Sequence, residues 1–507
     1  MLKGKAIPSC LFDCRLGEMT MTITIVGLGA GDIDDLTRKA WRVLKNAPVV
    51  YLRTARHGCV SCLPQSDTRY HSFDALYEAK DDFEAVYTAI VDTLMDAAQS
   101  GDVVYAVPGD PTVGEATTAQ IITRGREAGI DVQIVHGVSF VEPSLAAVGV
   151  DALDGLQIYD GIDIARAHHP PLNPDFPALI GQVYSRFMAS NIKLTLMNQY
   201  PDDFPVHLIH SAGTSQQTVE SIPLHEIDHS AAIGHTTSLF VPAVGGMTSF
   251  ERFQDIIAHL RDPEGGCPWD LKQTHESLRQ YLLEEAYEVL EAIDSGDTAE
   301  LYRELGDLLL QVVLHTQIAI DSGEFSMTDV LRHVNEKMIR RHPHVFGDKS
   351  VDSSEQVTAN WDAIKAAEKA ANQSADDTPQ SRLDGVPRAL PALLRSLQYQ
   401  DRAARAGFDW PVIDDVRAKL SEELDEVLSA PDDEARREEL GDLLFVLVNW
   451  ARWLRIDPEN ALRLANDKFY RRFRHVEMRV AQTGRQMNDL TLAELDVFWD
   501  EAKAQGL

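Results

Sequence analysis

Two patterns of hydrophobic and polar positions divide this chain. Over residues 22–245, short apolar runs rich in β-branched residues alternate with helical stretches, which is typical of a parallel α/β domain. The runs predicted as strands are ITIVGLG (23–29), APVVYL (47–52), DVVYAVPG (102–109), DVQIVHG (131–137), IKLTLMN (192–198) and TTSLFVPAV (236–244). From residue 250 onward, apolar residues recur every three or four positions and predict long amphipathic helices. The expected fold class is multidomain, an N-terminal α/β domain followed by two all-α helical modules.

Shifts in composition mark the expected domain boundaries. A stretch of low hydrophobicity that begins at residue 366 interrupts the helical half and is predicted as a linker. The segment that precedes the first strand is predicted to be a disordered leader. The predicted organisation is a leader (1–21), the α/β domain (22–245), a first helical module (250–365), a linker (366–384) and a second helical module (385–507).

The two helical modules repeat one pattern. The stretch LLEEAYEVLEAIDSGDTAELYRELGDLLLQ (282–311) places acids and leucines in the same order as LSEELDEVLSAPDDEARREELGDLLF (420–445). Further on, NEKMIRRH (335–342) corresponds to NDKFYRRF (466–473), and Trp361 corresponds to Trp499. The matching acids are Glu285, Glu288, Glu304 and Asp307 in the first module and Glu423, Glu426, Glu439 and Asp442 in the second.

The spacing of these acids predicts two metal sites. Residues three apart share a helix face, and Gly296 with Asp297 or Thr298 predicts a tight helical hairpin that brings both acidic pairs to one height. Carboxylates gathered beside apolar residues repel each other and lose hydration unless a cation lies among them. Ligands that are all oxygen favour Mg²⁺ or Mn²⁺ over zinc. The alternative is a solvated acidic helix face, since the chain has 79 Asp and Glu residues.

The balance of charge limits the partners to be expected. A formal net charge of −32 opposes binding to nucleic acid and to anionic membranes, and no apolar run approaches a membrane span, so we expect neither partner and a cytoplasmic location. Phosphate-bearing ligands therefore need local cations, and each module has one KxxRR pattern. These cations are Lys337, Arg340 and Arg341 in the first module and Lys468, Arg471 and Arg472 in the second. The alternative for each is a surface salt bridge.

Metal, acids and cations together predict hydrolysis of a phosphoanhydride. Mg²⁺ would polarise a phosphoryl oxygen and lower the pKa of an attacking water, and a glutamate of the EExxE pattern would orient or deprotonate that water.

The helical half resembles the MazG family of nucleoside triphosphate pyrophosphohydrolases. The resemblance rests on GGCPWDLKQTHESL (265–278), RRHPHVFGD (340–348) and GVPRALPALLRSLQYQDRAARAGFDW (385–410), as well as on the repeated acids. It implies a homodimer that converts a nucleoside triphosphate and water into the monophosphate and pyrophosphate with Mg²⁺, with the second module active. By that pattern Glu423, Glu426, Lys468 and Arg472 would be catalytic. Trp361 and Trp499 complete the expected substrate-binding residues.

The N-terminal domain resembles the tetrapyrrole (corrin and porphyrin) methylases through TIVGLGAGDIDDLT and VVYAVPGDPTVGE. Its first turn is GxGxG rather than GxGxxG, and no acid follows the second strand, which disfavours NAD. The resemblance implies S-adenosylmethionine near PGDP and near HGVSF (136–140), although the family usually has proline where His136 stands. The candidate cofactor-binding residues are Gly27, Gly29, Gly31, Pro108, Gly109, Asp110 and Pro111.

Three functional hypotheses follow. The first is a Mg²⁺-dependent nucleoside triphosphate pyrophosphohydrolase, with nucleotide house-cleaning as the role that the family implies. The second is an S-adenosylmethionine-dependent methyltransferase of tetrapyrrole type, in which the helical half serves dimerisation or regulation. The third is a protein that senses nucleotides without turnover. The base preference is not defined by the spacing of these residues.

Overall fold

The computed structural model describes residues 21–64, 68–80, 82–371 and 381–507. Apart from Met21, the predicted leader lies outside the described residues, as do residues 372–380 of the predicted linker. The chain divides into two compact units between Glu336 and Lys337. The predicted domain limits stay a prediction.

The first sheet forms the N-terminal part of the α/β domain. Its strands are β1 (Thr22–Gly27), β2 (Val49–Leu52), β3 (Arg69–Ser72), β4 (Val103–Val107) and β5 (Asp131–Val135). They are all parallel and lie in the order β3-β2-β4-β1-β5. The accompanying helices are α1 (Arg38–Asn46), α2 (Asp74–Ala79), α3 (Phe83–Ala98), α4 (Ala116–Ala128) and α5 (Val141–Val148). The predicted α/β class with a parallel sheet is confirmed.

Both faces of this sheet are covered by helices. On β1, Ile23 and Ile25 pack in one apolar cluster with residues of α3, whereas Val26 packs in another with residues of α1. Because neither face meets water, the strands are nearly continuous apolar runs, the pattern from which they were predicted.

A second sheet follows in the same domain. Its strands are β6 (Gln157–Asp160), β7 (Ala178–Gly181), β8 (Pro205–His210), β9 (Thr218–Pro223) and β10 (Thr237–Val241). Their order is β6-β7-β10-β8-β9, and only the β6–β7 pair is parallel. Helices α6 (Gly161–Arg166) and α7 (Arg186–Leu196) accompany this sheet. The parallel pattern predicted from the sequence therefore holds for the first sheet, whereas the second sheet is mixed.

The strand predicted at residues 192–198 is also wrong, because most of this run belongs to α7. Ser185 caps the helix by accepting a hydrogen bond from the Met188 N–H at 3.1 Å. The buried residues of α7 recur at helical spacing. They are Met188, Ala189, Ile192, Thr195 and Leu196.

The remainder of the first unit is helical. It contains α8 (Phe250–Leu260), α9 (Arg279–Ser295), α10 (Thr298–Ser322) and most of α11 (Met327–Arg341), which crosses the division between the units. One apolar cluster joins these helices. Its buried members are Ile257, Leu278, Val313, Leu314, Ile318 and Met327.

All described elements of the second unit are helices. They are α12 (Pro343–Phe346), α13 (Ser354–Ala371), α14 (Ala392–Arg405), α15 (Ile413–Ser429), α16 (Asp433–Trp453), α17 (Pro458–Gln482) and α18 (Leu492–Ala504). Helix α13 continues through residues 366–371, the start of the predicted linker. None of the helices in the described part of the chain has both the length and the apolar character that crossing a membrane requires.

Short 3₁₀ helices complete the set of elements. They lie at Ile33–Asp35, Gly58–Cys62, Ala152–Asp154, Leu224–His229, Asp270–Lys272 and Met487–Asp489.

Candidate active site

Tight turns close the two helical hairpins that carry the repeated acids. Helix α9 ends at Gly296, whose φ of +70° is a left-handed conformation that glycine adopts without strain. Asp297 then caps α10, and its carboxylate accepts hydrogen bonds from the N–H groups of Ala299 and Glu300 at 2.9 and 3.1 Å. The hairpin predicted from Gly296 and Asp297 is thereby confirmed. Asp432 caps α16 in the same way in the second hairpin.

The first hairpin gathers three of its four predicted acids. One carboxylate oxygen each from Glu285, Glu288 and Glu304 lies within 4.8 Å of the others. The pKa of Glu285 is raised, first by burial and then by the charges of Asp307 and Glu288. The pKa of Glu304 is raised too, again by burial and then by Glu288. Asp307 stands outside the group of three, but its negative charge acts on both glutamates.

The second hairpin also gathers three of its four predicted acids, but the aspartate belongs to the group in place of one glutamate. Here Glu423, Glu439 and Asp442 each place a carboxylate oxygen within 4.8 Å of the other two. Burial raises the pKa of Glu439, and the charges of Glu426, Glu423 and Asp442 raise it further. Glu426 is the acid outside the group of three, and it is exposed.

Glu423 is the most deeply placed of these acids. The residue as a whole is only 4% exposed. One carboxylate oxygen, Oε1, lies 2.8 Å from the Lys419 Nζ. The other, Oε2, is buried and has no hydrogen-bond partner among the described residues. A buried carboxylate oxygen without a donor is costly, so this atom is placed to receive a cation or a donor that the described residues do not supply.

The predicted cations of the second module lie on α17. Lys468 and Arg471 are exposed, and neither forms an ion pair with a carboxylate in the part of the chain that the structure describes. The Arg472 Nε donates a hydrogen bond to the main-chain oxygen of Leu507 at 2.6 Å, and its guanidinium lies 5.7 Å from the centre of the Trp499 ring. The structure thus brings Arg472 and Trp499 together.

The matching residues of the first module are arranged differently. Arg340 and Arg341 both bind the carboxylate of Glu368 on α13. Trp361 packs edge-on against the His342 ring, with ring centres 5.2 Å apart. These residues belong to the unit that begins at Lys337, whereas the acids of the first hairpin belong to the preceding unit.

In the α/β domain, the structure brings the two predicted cofactor loops together. The turn after β1 contains Gly29 and Gly31, both with positive φ, at +78° and +144°. The Gly29 N–H donates to the Gly109 main-chain oxygen at 3.2 Å, and the Gly109 N–H donates back at 2.8 Å. Gly27 is packed so closely that a Cβ atom there would lie 2.5 Å from the Gly109 oxygen. Glycine is therefore required where these two loops meet.

Asp110 connects this pair of loops to the loop after β5. It is buried, and one of its oxygens accepts hydrogen bonds from the Thr112 N–H and hydroxyl at 2.8 and 2.5 Å. The other accepts from the His136 Nδ1 at 2.9 Å and from the Gly137 N–H at 3.1 Å. Although burial opposes the charge, these hydrogen bonds lower the pKa of Asp110. His136, the residue that departs from the family pattern, is part of this network.

Profiles of two domain families match the chain. The MazG nucleotide pyrophosphohydrolase domain matches residues 273–346 and 413–477, and the tetrapyrrole (corrin/porphyrin) methylases match residues 22–228. The uncharacterized protein YabN of Bacillus subtilis (strain 168) is 42% identical over 498 residues, which are 96% of this chain and 99% of that protein. The chain belongs to the MazG family.

One relative and one solved structure each match about half of this MazG-family chain. The nucleoside triphosphate pyrophosphohydrolase of Escherichia coli (strain K12) is 46% identical over 264 residues, which are 51% of this chain and 98% of that protein. A crystal structure of uroporphyrin-III-C-methyltransferase from Thermus thermophilus is 22% identical, covers 45% of this chain and 95% of that protein, and has a TM-score of 0.35. Both carboxylate groups and both KxxRR patterns lie inside the two MazG matches.

Two residues beside the carboxylate groups are not predicted by the sequence patterns. Lys419 precedes Glu423 by one helical turn and pairs with it, a spacing that an i,i+4 search would have found. In the first module Tyr281 takes the position that corresponds to Lys419. There Gln311 forms a hydrogen bond with Glu285, and this bond lowers the pKa of Glu285. Gln311 is buried on α10, and its polar character amid leucines and valines was the available signal.

Proposed function

We propose that this protein is a Mg²⁺-dependent nucleoside triphosphate pyrophosphohydrolase whose second module carries the activity. The observation that carries the proposal is the group of Glu423, Glu439 and Asp442, in which the buried Glu423 Oε2 has no partner among the described residues. The relatives that match this half include a protein with that activity in its name.

The donors of this group fit a hard divalent cation. All three are carboxylates, the ligand type that Mg²⁺ and Mn²⁺ prefer, and they converge from two helices fixed by a capped turn. The raised pKa of Glu439 reflects a negative charge that a bound cation would neutralise. When bound, Mg²⁺ would supply Lewis-acid polarisation of a phosphoryl oxygen and would lower the pKa of water.

The protein's own residues supply the remaining functions. Lys468 and Arg472 would bind the phosphates, because the chain has a large negative net charge and these side chains supply local positive charge. Arg471 and Trp499 would extend that substrate surface. The corresponding residues of the first module are Lys337, Arg340, Arg341 and Trp361. Glu426, next to the metal ligands and exposed, would orient the attacking water and accept its proton. Hydrolysis of the anhydride between the α and β phosphates would then release the monophosphate and pyrophosphate.

The experiment is pyrophosphate release with Mg²⁺ from a panel of triphosphates that includes deaminated and oxidised bases. A house-cleaning role predicts a preference for the damaged members. Glu423→Ala should abolish release, whereas Glu285→Ala in the first module should retain it. A wild-type protein that releases no pyrophosphate from any member would refute the proposal, and activity that survives Glu423→Ala but not Glu285→Ala would move it to the first module.

We further propose that the MazG half forms a homodimer. Helix α16 exposes Leu440, Leu444 and Leu447, which share one face at spacings of three and four residues. Helix α10 exposes an apolar stripe at the matching positions, Leu305, Leu309 and Val312. Such stripes favour packing of hairpin against hairpin into four-helix arrangements, and a second copy of the chain supplies the same stripe.

A second candidate function rests on the α/β domain. The turn after β1 and the Pro108–Pro111 loop meet at the carboxyl end of a parallel sheet, the edge at which α/β proteins bind ligands. A Cβ atom on Gly109 would meet no atom closer than 3.9 Å, so a ligand has space to approach this backbone. We propose that S-adenosylmethionine binds there. Calorimetry with S-adenosylmethionine tests this, and no heat of binding for wild type at millimolar ligand would contradict it.

A further inference from the structure

The acids of the first hairpin have no ion-pair partner. Within the described residues, no lysine or arginine forms an ion pair with any of these four side chains, which are Glu285, Glu288, Glu304 and Asp307. In the second hairpin, by contrast, the Lys419 Nζ lies 2.8 Å from the Glu423 Oε1, and Tyr281 takes the position of this lysine in the first. The first hairpin therefore gathers negative charge without a positive side chain to offset it in the described part of the chain.

Gln311 brings an amide group to the same acids. It follows Asp307 by four residues, so the two side chains share one face of α10. Gln311 forms a hydrogen bond with Glu285, and because an ionised carboxylate can only accept, the amide Nε2 is the donor. The Oε1 of this amide is buried and has no hydrogen-bond partner among the described residues, and Gln311 as a whole is 5% exposed. The side chain that holds Glu285 thus carries an unpaired oxygen into the carboxylate group.

One divalent cation would satisfy both the acids and the amide. A buried amide oxygen without a donor is costly, and hard cations accept amide oxygens as well as carboxylates as ligands. The second copy has Val446 at the position of Gln311, so it lacks this oxygen, and Lys419 already holds one oxygen of Glu423. The two copies therefore differ in how fully their own side chains can surround a cation. The first offers more free oxygens, whereas the second leaves more of the coordination to water and substrate phosphates.

We propose that the first hairpin holds a structural divalent cation that binds without nucleotide, with the Gln311 Oε1 as a ligand in addition to the carboxylates. The cation stabilises the packing of α9 against α10 and takes no part in hydrolysis. This inference rests on the proposed function, which treats both carboxylate groups as metal sites, and deepens it by giving the first group a role of its own.

The test is calorimetric titration of the full chain with Mn²⁺ in the absence of nucleotide. Glu423→Ala with Glu439→Ala removes the second carboxylate group, so the binding that remains belongs to the first.

In this background Gln311→Val, which introduces the residue of the second copy, should weaken Mn²⁺ binding by about ten-fold or more. Gln311→Glu keeps an oxygen at this position but removes the amide donor, so it should retain the affinity if the oxygen is a ligand. Gln317→Val is the matched control. Gln317 is half-buried on the same helix and bonds Asp321 instead, so its loss should leave the affinity unaltered.

Thermal unfolding tests the structural role. Mn²⁺ without nucleotide should raise the Tm of the Glu423→Ala, Glu439→Ala background almost as much as that of the wild type, because a ligand of the folded state stabilises it. Glu285→Ala with Glu304→Ala should lose most of this rise. The same scans without metal show whether each variant is folded.

Several results would overturn the inference. They are the absence of Mn²⁺ binding in the background variant, an affinity unchanged by Gln311→Val, and a loss in Gln311→Glu as large as that in Gln311→Val, which would make the amide only a donor to Glu285. A Tm rise that depends on the second group alone would overturn the structural role. Pyrophosphate release by the wild type tests the proposed function separately, whichever cation the first hairpin binds.

Discussion

Glu423 illustrates that a buried carboxylate needs a positive partner. It is buried, one of its oxygens depends on Lys419, and the other has no partner in the described structure. A buried charge is tolerated when it is paired, and removing its only counter-charge is more damaging than removing an exposed ion pair. Lys419 therefore supports the site even without a substrate.

The first prediction concerns this pair. Lys419→Gln should lower the free energy of unfolding by about 1–2 kcal/mol, since it leaves the Glu423 carboxylate without a counter-charge. Lys503→Gln, which removes an exposed pair with Asp500 on α18, should cost less than about 0.5 kcal/mol. Chemical denaturation of both variants without metal measures the difference. Equal costs would show that the pair contributes nothing beyond a surface contact.

At the scale of single residues, the sequence indicates which residues form the carboxylate groups better than it indicates their contacts. The repeated acids could be named because their spacing is visible in both copies. The ion pairs of Lys419 with Glu423 and of Arg340 with Glu368 could not be predicted, because each depends on which of many nearby charges the folded helices bring together. A chain with 79 acids offers too many candidates for charge alone to decide.

The helical hairpin is the element that concentrates negative charge. Glutamates of both hairpins have raised pKa values because their helices hold them close together and partly out of water. Their folded-state pKa lies above the ordinary value of 4.5, so the folded protein binds these protons more tightly than the unfolded chain. The contribution of these glutamates to the stability of the metal-free protein therefore falls as the pH rises from about 4.5 through the raised values.

The second prediction follows for Mg²⁺. Because the ion binds ionised carboxylates, its stabilising effect should grow over the same pH window. The rise in Tm on adding Mg²⁺ should be larger near about pH 7 than near about pH 5. The double variant Glu304→Gln with Glu439→Gln should lose most of this dependence. A Mg²⁺ effect independent of pH, or one larger in acid, would contradict the assignment of these glutamates as ligands.

The ends of helices could be predicted where one or two residues of known capping preference mark them. Gly296 and Asp297 specified a helix end and a helix start, and the structure has both. The short apolar run at residues 192–198 predicts a strand, but most of it belongs to α7. The longer helical period, and the cap at Ser185, decide otherwise. Strands β3 and β6–β9 lie outside the runs that the sequence predicts as strands.

At the scale of the whole molecule, two copies of one helical pattern keep their acids and their exposed apolar stripes but differ in their cations. This combination is expected if both hairpins contribute to assembly while one of them processes substrate. In a homodimer the exposed leucines of α10 and α16 would pack against those of a second copy.

The third prediction tests that assembly. Wild type should have twice the mass of one chain by light scattering, and Leu444→Glu should shift it towards a single chain by placing a charge in the stripe. Leu153→Glu changes a leucine that is 93% exposed in the α/β domain and should leave the mass at that of a dimer. A wild type of single-chain mass, or dimers that persist in Leu444→Glu, would contradict the proposed interface.

On the proposed function, the repeated carboxylates hold divalent cations within reach of a triphosphate. The most direct measurement is anomalous diffraction from crystals of the full chain grown with Mn²⁺ and α,β-methylene-ATP. We expect manganese bound by Glu423, Glu439 and Asp442, with the analogue's phosphates beside Lys468 and Arg472. Manganese absent from both carboxylate groups, with the analogue bound elsewhere, would contradict it.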